Sequence, residues 1–252
     1  VGVDLATQPS RTAVATLAWG GGTATLTDLV LPASDEAIVA AVLAANAAGI
    51  DAPLGWPEAF HDFLTAHRDG RLAPIATDRD DWRRDLSFRA TDRAVLAATG
   101  QRPLSVAANY LGLTAMRAAA LLADLAARGA DVDRSGAGPV LEVYPAAAMR
   151  VWGLPRARYK DGRPEALGEL VDALQHAAPW LDLGPHEGLC RRNDDALDAV
   201  LASLVTRAHA LGHWVPPPPE LVDLARREGW IVIPTCSLEA LPLDPSSPGT
   251  RP

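Results

Sequence analysis

Several absences narrow the reading before any motif is considered. No segment is apolar for long enough to span a bilayer, and the first residues lack the basic-then-apolar order of a secretory signal, so a cytoplasmic protein with no membrane partner is expected. Cysteine is scarce: Cys190 and Cys236 stand apart and make no ligand pairs, which suits a reducing compartment. His186 lies near Cys190, but two ligands without a second pair do not build a zinc site. There is no basic excess either. Lys and Arg number 23 against 31 Asp and Glu, for a net charge of −8. A protein that coats duplex nucleic acid carries the opposite balance, so any nucleic-acid contact is expected to be local, salt-sensitive and short. The chain also shows no internal repeat and no serine in a nucleophile elbow.

What is present is an ordinary soluble-domain composition over 252 residues, enough for a large core. Val1 to Ala6 alternates as a strand, Gln8-Pro9-Ser10 supplies turn chemistry, Thr12 to Trp19 is strand-like, and Gly20-Gly21-Gly22 leads into a third strand from Thr23 to Leu31. Ser34-Asp35-Glu36 starts a helix that Gly49 stops, and "IDAPLGWP" from Ile50 reads as a parallel strand running into a proline-rich loop. A helical insertion over about 58–136, with its clearest helix from Ala107 to Arg128, precedes a strand in "PVLEVYP". Helices are predicted over Glu165 to Ala177 and Asp194 to Leu211, the latter with a stripe of Leu197, Val200, Leu201, Leu204, Ala208 and Leu211. "WIVIP" can add a last strand. The order implies one α/β domain over residues 1–240, a mixed five-stranded sheet with helices on both faces, and a disordered tail at 241–252.

Acids recur where strands end. Asp4 sits between Val3 and Leu5, Asp51 lies in the fourth strand, Glu142 in the fifth, and Asp195 and Asp198 open the long helix three residues apart, on one face. A carboxylate buried without a partner costs several kcal/mol. If the first and fourth strands are neighbours, Asp4 and Asp51 meet, and two charges about 4 Å apart repel by roughly 4 kcal/mol at an effective dielectric of about 20. Hard oxygen ligands of this kind select Mg²⁺ or Mn²⁺, and two such ions serve phosphodiester hydrolysis. The plainer readings are an edge acid bonded to a turn for Asp4, helix capping beside Asn193 for Asp195, and a structural ion pair for Glu142.

The three-strand meander, "GVDLA", the acid in the fourth strand and the "DALDA" helix together resemble the ribonuclease H-like fold, and the Asp195/Asp198 pair resembles the closing helix of its Holliday-junction resolvases. More closely, "GVDLA", "IDAPLGWP", "RATD", "EVYPAA" and "YKDG" resemble domain-of-unknown-function family 429, predicted nucleases of that fold, over Gly2 to about Pro234. The resemblance implies a metal-dependent nuclease or phosphodiesterase. Asp4, Asp51 and Asp198 would be primary metal ligands, Asp195 would serve a second ion or orient water, and Glu142 would support them or hold an arginine. Ribonuclease H carries a Glu on its first helix; here Glu36 lies at the start of that helix, too far from the strand ends to be equivalent.

Residues for gripping substrate are sought near these acids. The segment Arg79 to Arg93 holds five arginines and Trp82, suited to phosphate contact and base stacking, but its acids equally make a solvated, salt-bridged face. Arg89 and Asp92 of "FRATD" belong to the family resemblance and are kept as substrate-binding candidates, as are Lys160 and Trp56, the latter as a cleft wall. Tyr159 is either a phosphate contact or a loop residue. The expected partner is a nucleic acid or nucleotide, short or single-stranded. Two other classes stand beside this one. "GVDLATQPSRTAV" resembles the first phosphate loop of actin-like phosphotransferases, but Leu5 and Ala6 occupy places where Gly is needed, and "GGGT" suits a hairpin turn. A non-catalytic protein that keeps the fold is the third.

Overall fold

The computed structural model describes residues 1–71, 73, 81–107, 111–156, 159–160 and 164–242. Its strands are β1 (Gly2–Asp4), β2 (Ala13–Gly20), β3 (Thr23–Val30), β4 (Ala48–Asp51), β5 (Val140–Val143), β6 (Leu181–Asp182) and β7 (Ile231–Val232). The helices are α1 (Asp35–Ala44), α2 (Glu58–Arg68), α3 (Asp81–Ser87), α4 (Ala90–Thr99), α5 (Leu111–Ala127), α6 (Pro145–Val151), α7 (Pro164–Ala177), α8 (Glu187–Cys190), α9 (Asp194–Ala210) and α10 (Val222–Glu228).

The meander forms as its turn chemistry dictates. Gly21 and Gly22 adopt φ of 60° and 79° between β2 and β3, a geometry that suits glycine and closes a hairpin. "GGGT" is thus turn, and no atom approaches within 4 Å of where a Cβ would stand on Gly20, Gly21 or Gly22. β1 runs antiparallel to β2 and parallel to β4, β5 lies parallel to β4, and β7 closes that side. The sheet has seven strands, in the order β6-β3-β2-β1-β4-β5-β7, rather than the five expected. β7 falls within "WIVIP", where a last strand is expected, whereas β6 is only two residues long, too short for alternation to register.

Alternation along β1 and β4 separates the two faces. Val3, Leu5, Ala48 and Ile50 pack on one side with Ile38, Val39 and Val42 of α1 and Leu121, Leu122 and Leu125 of α5. Ser34 caps α1 by accepting from the Ala37 amide at 3.2 Å. The other face receives α9, whose Asn193 cap accepts from the Ala196 amide at 2.8 Å. Instead of one apolar stripe, α9 is buried almost all the way round, from Asp195 to Thr206, because α7 and Leu238 pack in the cluster that also takes up its outer residues. Leu241, expected to begin the tail, is fully buried in that cluster; residues 243–252 lie outside the described part. Helices α2 to α5 fill the insertion between β4 and β5. Among the described residues no helix is long and apolar enough to cross a membrane.

Candidate metal centre

The site follows from a tripeptide that occurs twice. Gly2-Val3-Asp4 and Gly49-Ile50-Asp51 lie side by side in parallel register, Gly2 opposite Gly49 and Asp4 opposite Asp51. Residues two apart share a face, so each Asp points to the side its Gly occupies. On that side α9 approaches so closely that a Cβ on Gly2 would collide with the Ala199 carbonyl and the Ser203 amide, and one on Gly49 with Thr206 Oγ1. The two glycines therefore set the helix against the sheet. Asp198, one turn before Ala202, comes down beside Asp4 and Asp51 at the C-terminal ends of the strands and the N-terminal end of α9. One carboxylate oxygen from each of Asp4, Asp51 and Asp198 lies within 4.8 Å of the others.

Electrostatics at this point are unfavourable for three bare charges. Burial and then the charges of Asp198 and Asp51 hold the Asp4 carboxyl well above the usual range. Asp51 is pushed up to about 7, first by burial and then by Asp198 and Glu142, with Lys160 acting in the opposite direction. Burial also raises Asp198, against the pull of Lys160 and Tyr159. Lys160 Nζ sits 2.6 Å from Asp198 Oδ2, with about half of its side chain exposed. Its ammonium is held charged by Asp198, Tyr159, Asp51 and Asp4 although burial works against it. Tyr159, buried, donates to Asp198 from 3.2 Å and fixes the orientation of that carboxylate. If all three carboxyls ionise, the one ammonium leaves an excess of negative charge, and an all-oxygen donor set could hold Mg²⁺ or Mn²⁺.

The other acids go elsewhere. Asp195 is not brought into the trio: it takes both Arg11 Nε at 2.8 Å and Arg11 Nη2 at 3.0 Å, bracing the start of α9 against the turn between β1 and β2. Glu142 and Arg89 contribute to the same cleft wall as Asp4 and Asp51 but are paired with each other through bonds of 2.7 and 2.8 Å, and Glu142 also accepts from the Leu54 amide at 2.9 Å. Arg89 is 2 % exposed and also bonds Asp92 at 2.9 Å. Arg89 and Asp92 thus form an internal clamp, and their side chains are spent on Glu142, on each other and on backbone. That clamp holds the loop that follows Asp51. Trp56 stacks edge-on against His61, with ring centres 6.5 Å apart, and does not line the cleft. Farther along, Arg93 pairs with Asp85 at 2.8 Å on the exposed surface, as the salt-bridged reading of that segment expects. Arg79, Asp80 and the Asp161-Gly162 part of "YKDG" lie outside the described residues. Cys190 is a core residue, its thiol raised to about 11 mainly by burial.

The carboxylates open into a cleft of about 520 Å³ lined by Asp4, Asp51, Tyr144, Arg156, Tyr159 and Lys160, among others. Sequence reasoning gave Tyr144, Gln101 and Arg156 no part in it. Tyr144 could have been found, because it follows an acid-bearing strand as Asp51 and Asp4 end theirs; Gln101 and Arg156 belong to loops and carry no local signal.

Compared with known families, the chain matches the one described as "Protein of unknown function (DUF429)" over residues 2–221. Neither the curated proteins nor the solved structures contain a significant match.

Proposed function

Since the chain belongs to the DUF429 family, whose description assigns no activity, we propose its function from the site alone: a metal-dependent phosphodiesterase acting on nucleic acid or nucleotide, on a sheet of ribonuclease H-like type. The observation that carries this reading is the convergence of Asp4, Asp51 and Asp198 within 4.8 Å, beside a cleft that Asp4 and Asp51 line. Three acids from three separate elements, each disfavoured as a lone charge, are stable together when a divalent cation neutralises them.

Asp4, Asp51 and Asp198 are the ligands in this scheme. A second ion would recruit Asp195, which must then give up its pair with Arg11. Bound Mg²⁺ or Mn²⁺ supplies Lewis-acid chemistry, activating a water and neutralising charge on the leaving oxygen of a phosphodiester. The protein's own groups do the rest. Tyr159 keeps the Asp198 carboxylate turned to the site. Lys160, now paired with Asp198, would be long enough to meet a substrate phosphate as a point charge. Arg89 and Glu142 hold the backbone after Asp51 and so its carboxylate. The acidic net charge fits a short or single-stranded substrate that offers few phosphates.

Calorimetric titration of Mn²⁺ and Mg²⁺ into the wild type, Asp4→Asn and Asp198→Asn tests the reading, with Mn²⁺-dependent hydrolysis of bis(p-nitrophenyl) phosphate as the activity arm. Binding and hydrolysis that both substitutions abolish are expected. Undiminished hydrolysis in either variant would refute the assignment.

A further inference from the structure

The same cleft holds a polar array that the carboxylates do not use. Arg156 Nη1 donates to Gln101 Oε1 at 2.6 Å, and Gln101 Nε2 donates to Tyr144 Oη at 3.2 Å. The direction of this chain is fixed by its first member, because an arginine can only donate and so holds the amide oxygen, turning the amide nitrogen to the phenol. Tyr144 Oη accepts from Gln101, which leaves its own hydrogen for a further acceptor. Arg156 is half-buried, and among the described residues it pairs with no carboxylate. Among the described residues, most of its five N–H groups are therefore uncommitted at the wall of the cleft. The phenol end shares the cleft wall with Asp4, Asp51 and Lys160. Pro103 and Leu104 line the cleft beside this array, and Leu104 is 65 % exposed, a large apolar side chain left open to solvent.

An uncommitted guanidinium fork, a phenol hydrogen and an apolar wall within one cleft make a two-part demand on a ligand. The fork matches the oxygens of a phosphate, and the apolar wall matches the face of a base. The volume, about 520 Å³, is that of a small-ligand pocket. We propose that Arg156, Gln101 and Tyr144 form a subsite for the terminal phosphate of a short oligonucleotide, so that the substrate is a phosphorylated dinucleotide or similar fragment whose internal phosphodiester meets the carboxylates. This rests on the phosphodiesterase reading above and adds the substrate class to it. Arg156 binds the terminal phosphate, Gln101 holds Arg156 and Tyr144 in a fixed relation, and Tyr144 donates to the phosphate oxygen nearer the metal centre.

Calorimetry with a 5′-phosphorylated dinucleotide and with the same dinucleotide lacking that phosphate tests the subsite, in Ca²⁺ on the full chain. The wild type is expected to prefer the phosphorylated form by about tenfold to a hundredfold, as a charge-assisted contact gives. Arg156→Met should abolish the preference, Arg156→Lys should keep part of it, and Gln101→Leu should reduce it, with thermal melting used to verify that each variant is folded. Equal binding of the two dinucleotides by the wild type, no binding of either, or a preference that survives Arg156→Met overturns the proposal. The phosphodiesterase reading fails separately. Bis(p-nitrophenyl) phosphate has no terminal phosphate, so its resistance to hydrolysis in Mn²⁺ strikes that reading, whereas a phosphate preference lost in Arg156→Met still identifies the subsite.

Discussion

Replacing Asp51 by Asn in metal-free protein should stabilise the fold, and by an amount that depends on pH in a defined direction. The Asp51 carboxyl rises from 3.8 to about 7 on folding, chiefly through burial. At about 1.4 kcal/mol per pKa unit, ionising it in the folded protein costs about 4 kcal/mol. Solvent reaches the cleft and screens part of this, so about 2–4 kcal/mol is the expected effect. The folded value lies above the unfolded one, and the unfolded chain therefore loses its proton first. Destabilisation is absent below about pH 4, grows as the unfolded state ionises, and is complete above about pH 7. Asn cannot ionise and escapes this cost. Urea denaturation in EDTA, from about pH 4.5 to 8.5, should thus show Asp51→Asn and the wild type converging at the acid end and the variant ahead at the alkaline end. Excess Mn²⁺ should reverse the order, because the ion stabilises the folded wild type by mass action and finds no complete ligand set in the variant. A difference that does not change with pH, or a variant less stable at the alkaline end in EDTA, would refute the reasoning.

Lys160→Met removes the ammonium that shares Asp198 with an incoming ion, so Mn²⁺ affinity measured by calorimetry should rise about three- to tenfold while phosphodiester turnover falls; weaker binding would count against the exchange. Arg89→Met leaves Asp92 and Glu142 buried without their cation and should cost about 3–5 kcal/mol in urea denaturation; a loss under about 1 kcal/mol would show that the clamp is dispensable. Gly2→Ala forces α9 off the sheet and should lose about 1–3 kcal/mol together with Mn²⁺ binding, whereas Gly20→Ala, which meets no atom within 4 Å, should leave both unchanged. Equal effects of these two substitutions would show that helix approach does not govern the site.

The meander, α1 and α9 were legible because alternation, glycine turns and a serine cap are local signals, and each segment is long enough for its period to repeat. β6 was not, since two residues cannot alternate. For the site, the acids at strand ends were readable, and the repeated Gly-aliphatic-Asp tripeptide is a stronger signal still, because identical spacing in two parallel strands aligns both glycines and both acids. What no local pattern carries is the choice of partner. Asp195 and Asp198 are equivalent by spacing, yet the first turns to Arg11 on the β1–β2 connection and the second to Asp4 and Asp51. Arg89 lies in a segment of exposed charge, and its burial depends on Glu142 and on the Glu228 carbonyl, both far along the chain.

The close seat of α9 on Gly2 and Gly49 also has a kinetic meaning. Asp4, Asp51 and Asp198 are scattered along the chain, and their oxygens meet only after β1 has paired with β4 and the helix has docked across both. Closing loops of that length is slow compared with forming the local meander. A chain halted before α9 docks holds separate acids with ordinary solution behaviour and has no means of holding an ion between them. On the metal-binding reading proposed above, cation capture would act as a late latch on folding that rewards only the finished chain.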